Sequence, residues 1–303
     1  GRDIDELTQH PDLALDEAKR AGCTRAASFT WSLKERFNRV HEIETGLRRA
    51  IAVDELKLAF QPIVDLASGR IDACEALLRW DHPTLGPVSP AEFIPIAEGM
   101  GMIESMTAWV LRSACSAAAS WPGDVRIAIN ISPASLKSSD LPANVIATLL
   151  ETGLSARRLE LEVTESIFLD DSGQTNAILR ELQRIGLRLA LDDFGTGYSS
   201  LSYLRSYRFD TLKVDQSFMA GVQDNREDRA IVHAIGHLAR ALDMDTVAEG
   251  IETEDQLMHA RQAGFTNVQG YLLSRPVDRD AIGRLIASGP LLPKAVPVGI
   301  RTA

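Results

Sequence analysis

From residue 55 onward the chain alternates between two patterns, and this alternation restricts the fold more than any other feature. Short β-branched or apolar runs (LKLAFQPIV, CEALLRW, VRIAINIS, RLELEVTE, LRLALDDF, TLKVDQ, DTVAEG and NVQGYL) are separated by helix-length amphipathic stretches. Examples are MIESMTAWVLRSACSAAA, TNAILRELQRIG, REDRAIVHAIGHLARAL and EDQLMHARQAG. Strands joined through helices pair in parallel, because the helix carries the chain back across the sheet. Eight strand candidates alternating with helices in the ~240 residues from 51 to 290 predict an α/β chain of the TIM-type (β/α)8 barrel class. One junction departs from the rule. The first two runs are joined only by DLASGRIDA, which has no room for a crossover helix and in which Ser68-Gly69 reads as a hairpin turn. The first strand is therefore expected to be antiparallel to the second.

Residues 1–50 read differently, as a helical segment with a break near Gly22. In SLKERFNRVHEIETGLRRAI, with Ser32 as its cap, Phe37, Val40, Ile43, Leu47 and Ile51 recur at three- and four-residue spacing and form one apolar stripe. Two readings of the stripe stay open. The helix lies on the following domain, or it is a signalling linker that pairs with a copy of itself. The expected organisation is a helical linker over 1–50, a barrel over 51–290 and a tail over 291–303.

Hydrophobic residues make up 45% of the chain and charged residues 24%, enough apolar content for a sizeable core. The formal net charge of -10 argues against non-specific duplex nucleic-acid binding, which rests on Lys and Arg neutralising phosphates. It leaves room for a phosphate ligand bridged to carboxylates by divalent cations. Cys23, Cys74 and Cys115 show no metal-ligand spacing and are odd in number, the pattern of a reduced cytoplasmic protein. No apolar run approaches the ~20 residues needed to span a bilayer, so no membrane contact is expected within this stretch. A chain beginning at Gly1 is read as a fragment, whose parent could be membrane-tethered through a missing region.

The polar residues collect at the carboxyl ends of the strand candidates, where barrels of this class build their sites. They are Glu75 and Arg79, Asn130, Glu162 and Glu165, the pair Asp192-Asp193, Lys213 and Asp215, Glu249 with Glu252, and Gln269. Singly, each has an ordinary explanation as a solvated strand, turn or surface residue. Together, Glu75, Asn130, Glu162, Asp192, Asp193 and Glu249 converge on one mouth, where like charges oppose one another's ionisation. Carboxylate and amide oxygens without His or Cys are hard ligands suited to Mg²⁺, Mn²⁺ or Ca²⁺. Adjacent aspartates that point to different sides suggest a two-metal site. Asp215, Glu165 and Glu252 are read as anchoring or supporting residues. The GTG around Thr196 suggests a loop that orders when metal binds. His233 and His237 have a zinc-compatible spacing without a third ligand and are read as packing residues. His82 is placed in a loop.

These residues fall in an ordered set of motifs: QPIV at Gln61, ACEALLRW ending at Trp80, FIPIAE at Phe93, NIS at Asn130, EVTE at Glu162, DDFGTGYSSL at Asp192, KVDQSF at Lys213, AEGIE at Glu249 and QGYLLSRP at Gln269. The set resembles the EAL-domain cyclic di-GMP phosphodiesterases over about residues 51–285. The resemblance implies a barrel with its first strand reversed and hydrolysis of cyclic di-GMP to linear pGpG with Mg²⁺ or Mn²⁺, Ca²⁺ being inhibitory. It implies that Glu75, Asn130, Glu162 and Asp192 hold one metal, and that Asp192, Asp193 and Glu249 serve the other. Lys213 then approaches the attacking water, with Lys213, Glu249 and Glu75 as the catalytic set. Glu165 anchors the loop after Asp193, and Gln61, Leu78, Arg79 and Gln269 are substrate-side positions. The identity of the general base stays open between Glu249 and Lys213. A homodimer is also implied. DIDELTQHPDLALDEAKRAG resembles the last helix of a GGDEF domain, although the GGDEF motif itself is absent. Two other classes compete with this reading: a receptor that binds cyclic di-GMP without catalysis, and an unrelated Mg²⁺-dependent barrel enzyme.

Overall fold

The computed structural model describes residues 31–51, 55–169, 173–195, 204 and 207–293. The GGDEF-like stretch, Cys23, the GTG loop beyond Gly195 and the last ten residues lie outside the described residues. The chain divides into two compact units, Gly1–Leu56 with Trp80–Met102, and Lys57–Arg79 with Ile103–Ala303.

Nine strands form one sheet: β1 (Leu56–Asp65), β2 (Ile71–His82), β3 (Gly86–Val88), β4 (Arg126–Asn130), β5 (Leu159–Thr164), β6 (Arg188–Phe194), β7 (Thr211–Val214), β8 (Asp245–Ala248) and β9 (Asn267–Val268). Eight of them close on themselves in the order β1-β9-β8-β7-β6-β5-β4-β2, with β1 returning to β2. All pairs from β2 through β4 to β9 are parallel, whereas β1 is antiparallel to β9. The reversed first strand follows from the tight turn. Asp65 Oδ1 accepts the Ser68 backbone N–H at 2.7 Å, and Gly69 takes the left-handed conformation (φ 71°) that closes the loop.

Around this ring the connecting helices, among them Ile103–Ala119, Gly173–Ile185, Arg226–Ala241 and Glu254–Ala263, bury one apolar stripe each. Cys74 and Cys115 are free and buried in this layer, where burial raises both thiols, Cys115 to about 12. The ring interior is layered by the period-two alternation of the strands. The first residues of β4, β6, β7, β8 and β9 (Arg126, Arg188, Thr211, Asp245 and Asn267) with Glu160 form a polar floor. Ile63, Ala73, Ala128 and Val247 form a small apolar layer above it. Arg188 carries the floor. Its Nε donates to Glu160 Oε2 at 2.9 Å and its Nη2 to Asp245 Oδ2 at 2.7 Å, while Arg126 pairs with Asp72. Glu160 is 2% exposed and also accepts from Thr211 Oγ1 at 2.8 Å.

In the other unit, the helix Trp31–Ala50 buries Ile43, Leu47 and Ala50 completely, while Phe37, on the same predicted stripe, is exposed. Ser32 lies within this helix and not at a cap position. Arg39 pairs with Glu92 of the helix Pro90–Gly99. His82 is the buried last residue of β2 and not a loop residue. Its Nδ1 accepts the Leu85 backbone N–H at 3.1 Å and so shapes the hairpin to β3. That hairpin has no β-branched run in sequence, because PTLGPV reads as a turn throughout. No helix among the described residues is long and apolar enough to cross a membrane.

Candidate active site

The carboxyl ends of the parallel strands bring the predicted polar residues onto one cation. Lys213, on β7, is 1% exposed, and its Nζ lies 2.7 Å from Glu249 Oε1, 2.9 Å from Glu162 Oε1, 3.2 Å from Asp192 Oδ1 and 3.7 Å from Glu75 Oε2. Glu249 directly follows β8, and the others lie on β5, β6 and β2, so only the closed ring assembles them. Burial opposes a charge on Lys213, but Asp192, Glu162, Glu249 and Glu75 outweigh it and hold the ammonium well above the usual lysine range.

Four carboxylates around one ammonium leave an excess of negative charge. Burial pushes Glu249 up to about 7, against the pull of Lys213. Glu162 is raised well above the ordinary carboxylate range by burial, with repulsion from Glu75 and Asp192 added. Asp193 is raised by burial and by Asp192 and Asp215. Glu75 goes the other way. Burial would raise it, but Lys213 and the amides of Gln269 and Asn130 hold it below its usual value. Gln269 Nε2 donates to Glu75 Oε2 at 2.7 Å and to Gln61 Oε1 at 3.1 Å, and Asn130 Nδ2 donates to Glu75 Oε1 at 2.7 Å.

The arrangement fits divalent cations on its own chemistry. Asp192, Asp193 and Glu249 each offer an oxygen within 4.8 Å of the others. The carboxylate oxygens of Glu162 are buried and, apart from the ion pair to Lys213, find no hydrogen-bond partner among the described residues. An all-oxygen donor set with excess negative charge suits hard divalent cations. Asp193 sits at φ 54°, uncommon for a non-glycine residue, beside a register break between Leu191 and Phe194. With the break, the two adjacent aspartates face the same cavity, instead of the different sides that strand alternation predicts. Glu165 Oε1 accepts the Gly195 backbone N–H at 3.3 Å, the position expected of a loop anchor.

Above the carboxylates opens a cavity of about 340 Å³. Gln61, Glu75, Asp192, Asp193, Asp215, Glu249, Glu252 and Gln269 line it, all singled out in sequence. Lys213, Glu162 and Asn130 are not in the lining and reach it through the residues they contact. Leu78 and Arg79 are outside the lining too: Leu78 packs on the outer core, and Arg79 Nη1 donates to the Leu78 carbonyl at 2.9 Å. Four lining residues were not anticipated, Gln216, Gly250, Gly270 and Tyr271. Each lies within two residues of a predicted one in the KVDQSF, AEGIE and QGYLLSRP motifs, but uncharged residues and glycines carry no site signal of their own. Tyr271 is partly exposed, with the Arg275 guanidinium 4.3 Å from its ring centroid.

Comparison with known proteins gives concordant matches. The profile of the EAL domain matches residues 44–276. The cyclic di-GMP phosphodiesterase NbdA of Pseudomonas aeruginosa is 41% identical over 286 residues, 93% of this chain and 36% of that protein. An uncharacterized signaling protein of Caulobacter vibrioides is 41% identical over 289 residues, 95% of this chain and 36% of that one. Among solved structures, the PaMucR phosphodiesterase in complex with c-di-GMP superposes with a TM-score of 0.76 at 38% identity, covering 80% of this chain and 99% of the other. The chain spans only about a third of the length of the curated relatives it matches first.

Proposed function

Because the chain belongs to the EAL domain family, we propose that it hydrolyses one phosphodiester bond of cyclic di-GMP, giving linear pGpG, with two divalent cations. The observation that carries the reading is the buried Lys213 ringed by Glu75, Glu162, Asp192 and Glu249 beneath an open acidic cavity. Glu75, Asn130, Glu162 and Asp192 would hold one cation, and Asp192, Asp193 and Glu249 the other. Bound there, divalent cations neutralise charge on the phosphodiester and make water a competent nucleophile near neutral pH. Gln61 and Gln269, joined by a hydrogen bond at the wall of the cavity, would orient substrate and keep Glu75 ionised. Lys213, held cationic, supplies fixed positive charge where negative charge develops. Glu249, raised to about 7, is placed to accept the proton that the attacking water loses. In the cation-free protein the surrounding carboxylates hold Lys213 protonated, which favours Glu249 over Lys213 as the base.

Incubation with cyclic di-GMP and Mg²⁺ or Mn²⁺, followed by chromatography, should yield pGpG. Replacing the metal by Ca²⁺ should suppress turnover, since Ca²⁺ prefers bonds of ~2.3–2.6 Å against ~2.0–2.1 Å for Mg²⁺ and tolerates looser geometry. Absence of pGpG from folded, Mg²⁺-loaded protein would remove the proposal; equal rates in Ca²⁺ and Mg²⁺ would remove its geometric basis. The family resemblance also supports a two-fold homodimer. Light scattering at micromolar concentration should return twice the chain mass, and a fully active monomer would exclude the pairing.

A further inference from the structure

The loops that follow the two metal-facing strand ends rest against the same short helix. Asp192 and Asp193 are followed at Gly195, and Glu249 at Gly250, by glycines in left-handed conformations (φ 98° and 67°). A Cβ at Gly195 would lie 2.8 Å from Cε2 of Phe218, and one at Gly250 would lie 2.4 Å from Cβ of Gln216. Phe218 and Gln216 both belong to the helix Gln216–Gly221, which begins directly after β7 and is capped by Asp215, whose carboxylate accepts the Ser217 N–H at 2.9 Å. The helix is itself fixed from below. Met219 is fully buried, and its carbonyl accepts from Gln256 Nε2 at 3.1 Å. The Gly195 backbone is held a second time, by Glu165 at 3.3 Å. The glycines therefore do more than permit turns; they let two loop backbones approach one rigid element more closely than any side chain would allow.

We propose that Phe218 and Gln216 are positioning residues that set the separation of the Asp192–Asp193 pair from Glu249, with the helix Gln216–Gly221 acting as a spacer between their loops. Phe218 has no polar chemistry to offer the carboxylates, and the Gln216 atom nearest the Gly250 position is its Cβ, at 2.4 Å. What they supply is distance: removing the Phe218 ring leaves Gly195 without the surface it rests on, and the strained turn at Asp193 can relax. This inference rests on the metal-dependent reading above, and the test separates the two.

Mn²⁺ binding to metal-free protein is measured by electron paramagnetic resonance and calorimetry, alongside kcat and KM for cyclic di-GMP. Phe218→Ala should weaken Mn²⁺ binding about tenfold and lower kcat about 10²-fold, the scale of an ångström-level misplacement, with KM within threefold. Phe218→Leu should retain most of both. Gly250→Ala should have the same signature by pushing from the other side, and Gly250→Ala with Gln216→Gly should regain part of the lost affinity. If wild-type protein binds no Mn²⁺, the metal-dependent reading fails and this inference with it. If wild type binds but folded Phe218→Ala and Gly250→Ala bind equally well, the spacer role alone is overturned. Should Phe218→Ala not fold, the Gly250 pair decides the matter by itself.

Discussion

Replacing Lys213 by Met is expected to lower kcat about 10³-fold, at the upper end of what one fixed electrostatic group contributes to a transition state. KM should move little, because Lys213 is 1% exposed and does not line the cavity. The pH profile carries the finer information. Glu249 is raised to about 7 by burial, with Lys213 opposing the shift. In the cation-free protein its base form is therefore populated as pH rises through about 7, and bound cations would lower that value, so activity that needs this form should climb at or below this range. Cation affinity of the metal-free protein should climb with it, since the carboxylates must lose their protons to bind. Removing Lys213 takes away the charge that holds Glu249 down, so the rising limb of the profile should persist, displaced to higher pH. A limb that vanishes in Lys213→Met would make Lys213 the base. Wild-type kcat in the variant would defeat both assignments.

Substituting Arg188→Met should cost about 3–5 kcal/mol of stability, the usual penalty for stranding a buried charge. Glu160 is 2% exposed and, among the described residues, would keep Thr211 at 2.8 Å and a longer approach to Arg126 at 3.8 Å. For a chain of this size that loss corresponds to a fall in Tm of about 10 °C. Adding Glu160→Gln should restore part of the loss, because the stranded carboxylate and not the missing guanidinium carries most of the cost. Arg188 begins β6, whereas Asp192 lies near its other end, so kcat measured well below the transition should stay close to wild type. A Tm change below about 2 °C, measured by calorimetry, would mean that the floor is already solvated and the ion pairs contribute little.

The ring and its reversed strand were legible in sequence because they depend on local rules. Period-two runs alternating with 3.6-period helices leave few architectures, and DLASGRIDA is too short for any connection but a hairpin. The candidate ligands were legible for the same reason: Asn130, Glu162, the Asp192–Asp193 pair and Glu249 sit at or near the carboxyl end of a readable strand. What local rules could not supply is distance between strands. Nothing in TLKVDQ distinguishes Lys213 from a surface lysine, and only closure of the ring puts four carboxylates around it. The floor was equally hidden. Arg126, Glu160, Arg188 and Asp245 are separated by dozens of residues and look like ordinary charged strand positions until the register aligns them. The seats of Gly195 on Phe218 and Gly250 on Gln216 join segments with no sequence relation, and glycine has no side chain to announce a contact. Sequence thus determined which groups stand at each strand end, through backbone periodicity; tertiary structure decided which of those groups feel one another's charge, because Coulomb and packing energies depend on separation in space.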